Sequence, residues 1–391
     1  METSQPFNRR KFLKTASAAT GLLIVSPQVA FGYQANSKLE LGLIGCGGRG
    51  PWIANFFEQN TNTKCVALCD YFRNQTKAAG ERFGVGEKMQ FVGIDGYKEL
   101  LASDVDAVAV QSPAYFHPIH AVAALEAGKH VYIAKPIAVD VPGCLAIVEA
   151  AKKHEKQVST LVDFQTRKNA AFQKVAKAVH EGAIGELISG QAYYYAPRLN
   201  IRTKPGTDVA KLRNWFFDIP LSGDIIVEQN IHAIDVANWL LQAHPVKAQG
   251  TGGRRVRTDV GDCWDHFVVT YTYPNGALID FSSAQFTTGY SDICTRIYGS
   301  LGTADTHYFG ECSLQSKQVT IEPEATGNIY TEGAIQNIKD FHQSIVDGKL
   351  LNNTQESADS TMAAVLGRMA AIVLSALSCV LFRSFPSTML W

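Results

Sequence analysis

The chain has 391 residues, 46% of them hydrophobic and 18% charged, and its 36 Lys and Arg balance 36 Asp and Glu. So large an apolar fraction without net charge excludes a disordered chain and supplies the core of one large or two medium domains. The balance also withholds the basic surplus that polyanion binders use on phosphates, so no nucleic acid is expected and the partner is a small molecule or another protein.

Residues 1–32 read as an address rather than as fold. Arg9 and Arg10 precede Phe12 and Leu13, an apolar run over 16–25 follows, and small residues close the segment at Ala30 and Gly32. Charged, apolar and small segments in that order make an export signal. The paired arginines resemble the twin-arginine signal, which passes proteins across a membrane already folded. Cleavage near Gly32 and a periplasmic or extracytoplasmic location are expected. The eight cysteines lack the spacing of a disulfide scaffold or of CxxC knuckles, so buried thiols are expected, Cys65 and Cys69 in one strand among them.

An apolar strand over 39–45 runs into Gly45-Cys46-Gly47-Gly48-Arg49-Gly50, and a helix over 52–58 follows. Glycines there allow a tight turn and a close backbone approach, so that a pyrophosphate rests on the helix N-terminus. A second strand over 64–69 ends in Asp70, 20 residues beyond Gly50, where the ribose-binding acid of an NAD site is expected. Gly45, Gly47, Gly48, Arg49, Gly50 and Asp70 are thus the candidate cofactor-binding set, with Lys135 reaching the cofactor from further along. A carboxylate repels a 2′-phosphate, so NAD is expected over NADP, although Arg73 is near enough in sequence to blur that preference. Strands over 105–111, 130–133 and 158–162 alternate with helices over 117–127 and 141–154, which makes a parallel sheet covered on both faces. Residues 38–165 form a Rossmann dinucleotide-binding domain in this reading.

Beyond 165 the texture changes. A helix over 169–181 precedes strands over 187–195, 246–256, 266–273, 277–284 and 294–298, and Asn275-Gly276 between two alternating runs signals a hairpin. The fold class expected is therefore α/β plus α+β, with an antiparallel sheet flanked by helices over 166–367 and a ligand cleft between the two halves. By fold analogy the open sheet face is buried in a homodimer or homotetramer. The apolar tail over 368–391 holds a run of about 14 residues, too short for a bilayer core of roughly 30 Å, so no stable membrane insertion of the mature domain is expected.

Lys135 ends a parallel strand, where ligands bind in open α/β sheets and where desolvation suits a lysine to proton transfer. Glu228, His232 and Asp235 fall at i, i+4 and i+7, one face of a helix. That face suits an acid/base cluster, a metal site or a buried polar network. A metal would want further His or Cys ligands and none is near, so no metal is expected.

The glycine turn, His117-Pro118-Ile119-His120-Ala121, Ala127-Gly128-Lys129-His130-Val131, the Lys135-Pro136 pair, Glu228 with His232, and Ile297-Tyr298-Gly299-Ser300-Leu301-Gly302-Thr303 together resemble the Gfo/Idh/MocA family of glucose-fructose oxidoreductases and inositol dehydrogenases. The similarity runs over nearly all of 38–367. The family's Glu-Lys-Pro stands here as Ala134-Lys135-Pro136, and its Asp-x-Gly-x-His as Glu228-Gln229-Asn230-Ile231-His232. The resemblance implies an NAD(P)-dependent oxidoreductase that transfers a hydride at a hydroxyl-bearing carbon of a sugar, glycoside or cyclitol. Lys135 would contact the reacting hydroxyl, His232 would relay its proton and Glu228 would orient the substrate or the histidine. Tyr195, Arg198, Trp215 and Asp235 are candidate substrate contacts, the aromatic ones as stacking faces for a sugar ring. Some exported relatives instead retain NAD and act as glycosidases or lyases by transient oxidation and elimination. An exported enzyme has no pool of free NAD, so a tightly bound cofactor is expected. A third reading, a binding protein retired from catalysis, is motivated by the missing Glu at 134.

Overall fold

The structure, a computed structural model, describes residues 38–384, with side chains through 375. The export signal expected over 1–32 lies outside the described residues. Six strands, β1 (Leu39–Ile44), β2 (Thr63–Asp70), β3 (Gln90–Val92), β4 (Ala107–Val110), β5 (His130–Ala134) and β6 (Thr160–Asp163), make one parallel sheet in the order β3-β2-β1-β4-β5-β6. Every residue of β4 and β6 is buried, as strands covered on both faces require. The helices α1 (Arg49–Asn60), α2 (Arg73–Phe83), α3 (Gly96–Ala102), α4 (His117–Glu126) and α5 (Val141–His154) connect them. Strand order reverses between β1 and β4, so the carboxyl ends of these strands part and leave a crevice.

Beyond β6, α6 (Ala170–His180) begins at Asn169, whose side chain accepts from the N–H groups of Ala171 and Phe172. Then come β7 (Leu187–Tyr195), the short helices α7 (Asp208–Arg213), α8 (Ile219–Ser222) and α9 (Ile225–Glu228), and α10 (Ile231–Leu241). A meander of β8 (Lys247–Gly253), β9 (His266–Thr272) and β10 (Leu278–Ala284) follows, then β11 (Asp292–Gly299), β12 (Gly302–His307), β13 (Glu311–Ser316) and β14 (Thr320–Ala325). The sheet order is β14-β13-β12-β11-β7-β10-β9-β8.

This sheet is antiparallel except where β7 pairs with β10 in parallel. The long helical excursion after β7 lets the chain enter the three-strand meander so that its last strand runs in the same direction as β7. The expected hairpin joins β9 to β10, with Gly276 at φ +85° as the turn demands. One face of the sheet, carrying Phe267, Val269, Phe281, Ile293 and Ile297, packs with α6 and α10 into the principal core.

The last two helices, α11 (Ile329–Asp347) and α12 (Thr354–Ser384), return toward the parallel sheet. Phe341 of α11 meets Phe57 of α1 and Tyr132 of β5 edge-on, so a helix that the sequence assigns to the second half completes the core of the first. Through Ser384 the apolar tail is the second half of α12, one continuous helix of 31 residues. Its segment Thr354–Ser375 is long and apolar enough to cross a membrane by length and composition, and half of it is buried within the protein. Ala363, Ala364, Val365 and Ala371 belong to the principal core.

Candidate active site

The glycine turn after β1 is built by close backbone approach. Gly45 has φ +96°, and a Cβ there would lie 2.5 Å from the carbonyl carbon of Gln111. A Cβ on Gly50 would lie 1.8 Å from the Gly45 carbonyl oxygen. These two glycines let α1 start directly against β1 and β4. Gly47 and Gly48 face open space instead, with no atom of the described residues within 4 Å of a Cβ placed on either. They line a cavity of about 330 Å³ together with Asp70.

Asp70 is held by the turn it serves. Its Oδ2 accepts from the Cys46 N–H at 2.7 Å and its Oδ1 from the Phe72 N–H at 2.8 Å. Burial raises its pKa and these backbone bonds work against the rise. Arg213 lines the same cavity, with its guanidinium 3.8 Å from the Phe72 ring centroid, a cation on this rim that the sequence did not single out. Open backbone at the start of α1 for a pyrophosphate, and a fixed carboxylate at the end of β2 for ribose hydroxyls, fit a dinucleotide.

A second cavity of about 330 Å³ shares Gly47, Gly48, Gln111 and Ser112 with the first. Among the described residues, both side-chain polar atoms of Gln111 are buried without a partner at this junction. Lys135, Glu228 and His232 all line the second cavity. Lys135 Nζ donates to the Glu228 carbonyl and lies 3.4 Å from Glu228 Oε1. Gln229 donates to the other carboxylate oxygen of Glu228 and accepts from the Tyr194 hydroxyl at 3.0 Å. Burial lowers the pKa of Lys135, and Glu228 partly restores it. His232 is held well below the usual imidazole value by burial and then by the nearby cations Lys135 and Arg49. Its Nδ1 is buried without a partner among the described residues.

Arg49, expected on the cofactor, lines this second cavity and not the first. Its guanidinium pairs with Asp163 at the end of β6 and donates to the Tyr330 hydroxyl at 3.0 Å. Asp163 is in turn held by Asn337 of α11 at 2.8 Å. The carboxylate turns the arginine away from the turn's open side.

The single helix face expected for Glu228, His232 and Asp235 is broken. Gln229 and Asn230 both donate back to the Ile225 carbonyl, at 2.9 and 2.8 Å, so α9 ends at Glu228 and α10 starts afresh at Ile231. Glu228 and His232 still share a cavity, but Asp235 does not join them. It is fully buried, paired with Arg167 at 2.9 Å and accepting from Ser360 at 2.7 Å.

Of the other expected sugar contacts, Trp215 lines both cavities. Tyr195 instead bonds Ser282, because strand alternation turns its neighbour Tyr194 inward. Arg198 pairs with Asp259 at 2.5 Å and lines neither cavity. Residues not anticipated include Tyr308, Tyr330 and His117. His117 lies 2.8 Å from the Pro136 carbonyl oxygen through Nδ1 and 2.9 Å from that of Ser112 through Nε2, tying together the loops after β4 and β5. Its place in the His-Pro-Ile-His-Ala segment was the available signal. The seven cysteines with described side chains are free and buried.

Residues 39–162 match the model of an oxidoreductase family with an NAD-binding Rossmann fold (GFO_IDH_MocA), and residues 172–305 match the GFO/IDH/MocA C-terminal domain. Inositol 2-dehydrogenase 3 of Saccharopolyspora erythraea is 31% identical over 269 residues, 68% of this chain and 72% of that protein. A solved oxidoreductase domain protein from Kribbella flavida superposes with a TM-score of 0.73 at 21% identity, covering 86% of this chain and 98% of that one. A levoglucosan dehydrogenase solved with NADH and levoglucosan gives 0.71 at 19% identity over the same shares. At these identities the two structures speak for the fold.

Proposed function

The chain belongs to the Gfo/Idh/MocA family of NAD-binding oxidoreductases, and on that premise we propose that it transfers a hydride at a hydroxyl-bearing carbon of a sugar, glycoside or cyclitol. The observation that carries this reading is the meeting of Lys135, Glu228 and His232 in a cavity that adjoins the glycine-turn cavity across Gly47 and Gly48. NAD, when bound, supplies the hydride acceptor. Lys135 donates a hydrogen bond to the reacting hydroxyl oxygen, and Glu228 fixes the direction of that ammonium. Held neutral, His232 accepts the hydroxyl proton. Tyr194 and Tyr308 wall the cavity on the sheet side and offer hydroxyls to a polyol. The name of the inositol 2-dehydrogenase relative supports a cyclitol or related polyol as the substrate class. Assaying the purified protein with NAD across a panel of cyclitols and sugars tests this, with NADH absorbance as the signal. Failure to bind NAD, or no reduction with any member, rejects it.

We further infer from Arg9 and Arg10 that the chain is exported by the twin-arginine route to the periplasm and works there with NAD retained, and from the open face of its sheet that it forms a homodimer or homotetramer. Export favours a second reading, a redox-neutral glycosidase or lyase that oxidises transiently and eliminates. Nucleotide released only on denaturation, with a cleavable glycoside consumed and no NADH accumulating, separates this reading from net dehydrogenation.

A further inference from the structure

Behind the wall of the catalytic cavity, on the opposite face of β11 and β12, three unlike side chains converge. Ile293 of β11 and Tyr308, next after β12, line the cavity. By strand alternation their neighbours Cys294 and His307 point the other way. Cys294 and His307 are directly paired across the ladder, and Asp305 is two residues from His307 on the same face. Cys294 Sγ, Asp305 Oδ1 and a ring nitrogen of His307 lie within 4.8 Å of one another. Sγ is 3.5 Å from Asp305 Oδ1, and His307 Nε2 is 3.2 Å from that same oxygen.

The two separations to Asp305 Oδ1 match edges of a metal tetrahedron. With zinc bonds of about 2.3 Å to sulfur and about 2.0–2.1 Å to nitrogen and oxygen, tetrahedral geometry places S···O at about 3.5 Å and N···O at about 3.3 Å. Outer partners are present as well. Asp292 holds His307 Nδ1 through both carboxylate oxygens, at 2.9 and 3.0 Å, and so directs Nε2 at Asp305. Arg296 occupies the remaining oxygen of Asp305 at 2.7 Å. A carboxylate behind a ligating histidine and a hydrogen bond to a ligating carboxylate are the supports that orient metal ligands.

We propose that Cys294, Asp305 and His307 bind one divalent transition ion, zinc(II) by the match of thiolate, imidazole and carboxylate to that metal, with water at the fourth corner. This departs from the metal-free reading of the sequence, which weighed CxxC knuckles and the Glu228 segment. Metal ligands of these types bind deprotonated, so protons leave as the ion enters. The bound ion clamps β11 to β12 behind Ile293 and Tyr308.

The test uses the full chain, stripped with a chelator and titrated with zinc(II) against a chromophoric competitor, then with cobalt(II). One equivalent of zinc per chain is expected, together with a near-ultraviolet thiolate-to-cobalt charge-transfer band. Cys294→Ser removes the band, and His307→Ala weakens zinc binding more than tenfold. Asp292→Asn touches no metal but releases the imidazole, so it weakens binding about 10–100-fold while the band persists. Circular dichroism and NAD binding check that each variant is folded, and the cobalt spectrum of the unaltered chain needs no variant at all. Absence of stoichiometric zinc, cobalt bound without the band, or a band surviving Cys294→Ser overturns the proposal.

Discussion

Lys135 Nζ is bound twice by one residue, donating to the Glu228 carbonyl and standing 3.4 Å from Glu228 Oε1. The family signature places a glutamate immediately before this lysine, and here that position is Ala134, buried at 7% exposure. Glu228 supplies the missing carboxylate from across the cleft. The reading of a retired binding protein was motivated by the missing Glu at 134, and Lys135 has a carboxylate partner in Glu228.

Glu228→Gln keeps the shape and removes the charge. The carboxylate raises the Lys135 pKa against burial, so without it the lysine titrates at still lower pH. The limb of the pH–rate profile that reports Lys135 should therefore move to lower pH, with kcat reduced and NAD affinity unchanged. A limb that stays in place would show that Lys135 is not the group being titrated.

Lys135→Ala and His232→Ala should each lower kcat/KM by about 10²–10⁴, the usual contribution of a positioned acid or base, while NAD binding persists. With its pKa held well below the ordinary value by burial and two cations, His232 stays neutral on mild acidification. Activity should therefore show no histidine-like fall between about pH 7 and 6, the interval around an unperturbed imidazole. A fall there that is absent from His232→Ala contradicts the electrostatics of this pocket.

What was legible in the sequence was local. The glycine turn, Asp70 and Lys135 are each placed by spacing along one β-α unit, and the structure puts them at the carboxyl edge of the sheet. Long-range partners were not legible: the Arg49 pairing with Asp163 spans 114 residues, and nothing near Arg49 announces it. Asp235 was misplaced for a different reason, since i, i+4, i+7 spacing assumes an unbroken helix and Gln229-Asn230 break it. The last strand escaped because an edge strand needs little burial. In β14, Thr-Ile-Glu-Pro-Glu-Ala, only Ile321 is buried, so no alternation marks it.

Two pairs of glycines should fail differently. Gly50→Ala drives a methyl into the Gly45 carbonyl, and Gly45→Ala strains a positive φ against Gln111, so both should lower Tm as well as NAD affinity. Gly47→Ala and Gly48→Ala meet no protein atom and should leave Tm nearly unchanged while weakening NAD, because the methyl enters the space where the pyrophosphate approaches. Thermal melts with and without NAD, beside a titration of each variant, check this. Equal losses of Tm in all four would mean the turn has no open side.

Asp70→Ala should relax the preference for NAD. The carboxylate repels a 2′-phosphate, and its removal leaves Arg213 on the cavity rim. The ratio of NADP to NAD affinity should rise by about tenfold or more, the scale set by one charged contact of about 1.4 kcal/mol. An unchanged ratio would place the ribose away from Asp70.

Asp235→Asn distinguishes a structural carboxylate from a substrate contact. Asp235 is fully buried, bonded by Arg167 Nε at 3.0 Å and Nη2 at 2.9 Å and by Ser360, and it ties the start of α6 to α10 and α12. Removing one charge of a buried pair leaves the other uncompensated and costs about 3–5 kcal/mol. Arg167 keeps a second partner in Glu356 at 2.9 Å, which places the expected loss toward the lower end. The variant should melt at lower temperature or lower denaturant, and its folded fraction should show the KM of the unaltered chain. A raised KM at unchanged stability would return Asp235 to the substrate site and contradict its placement behind α10.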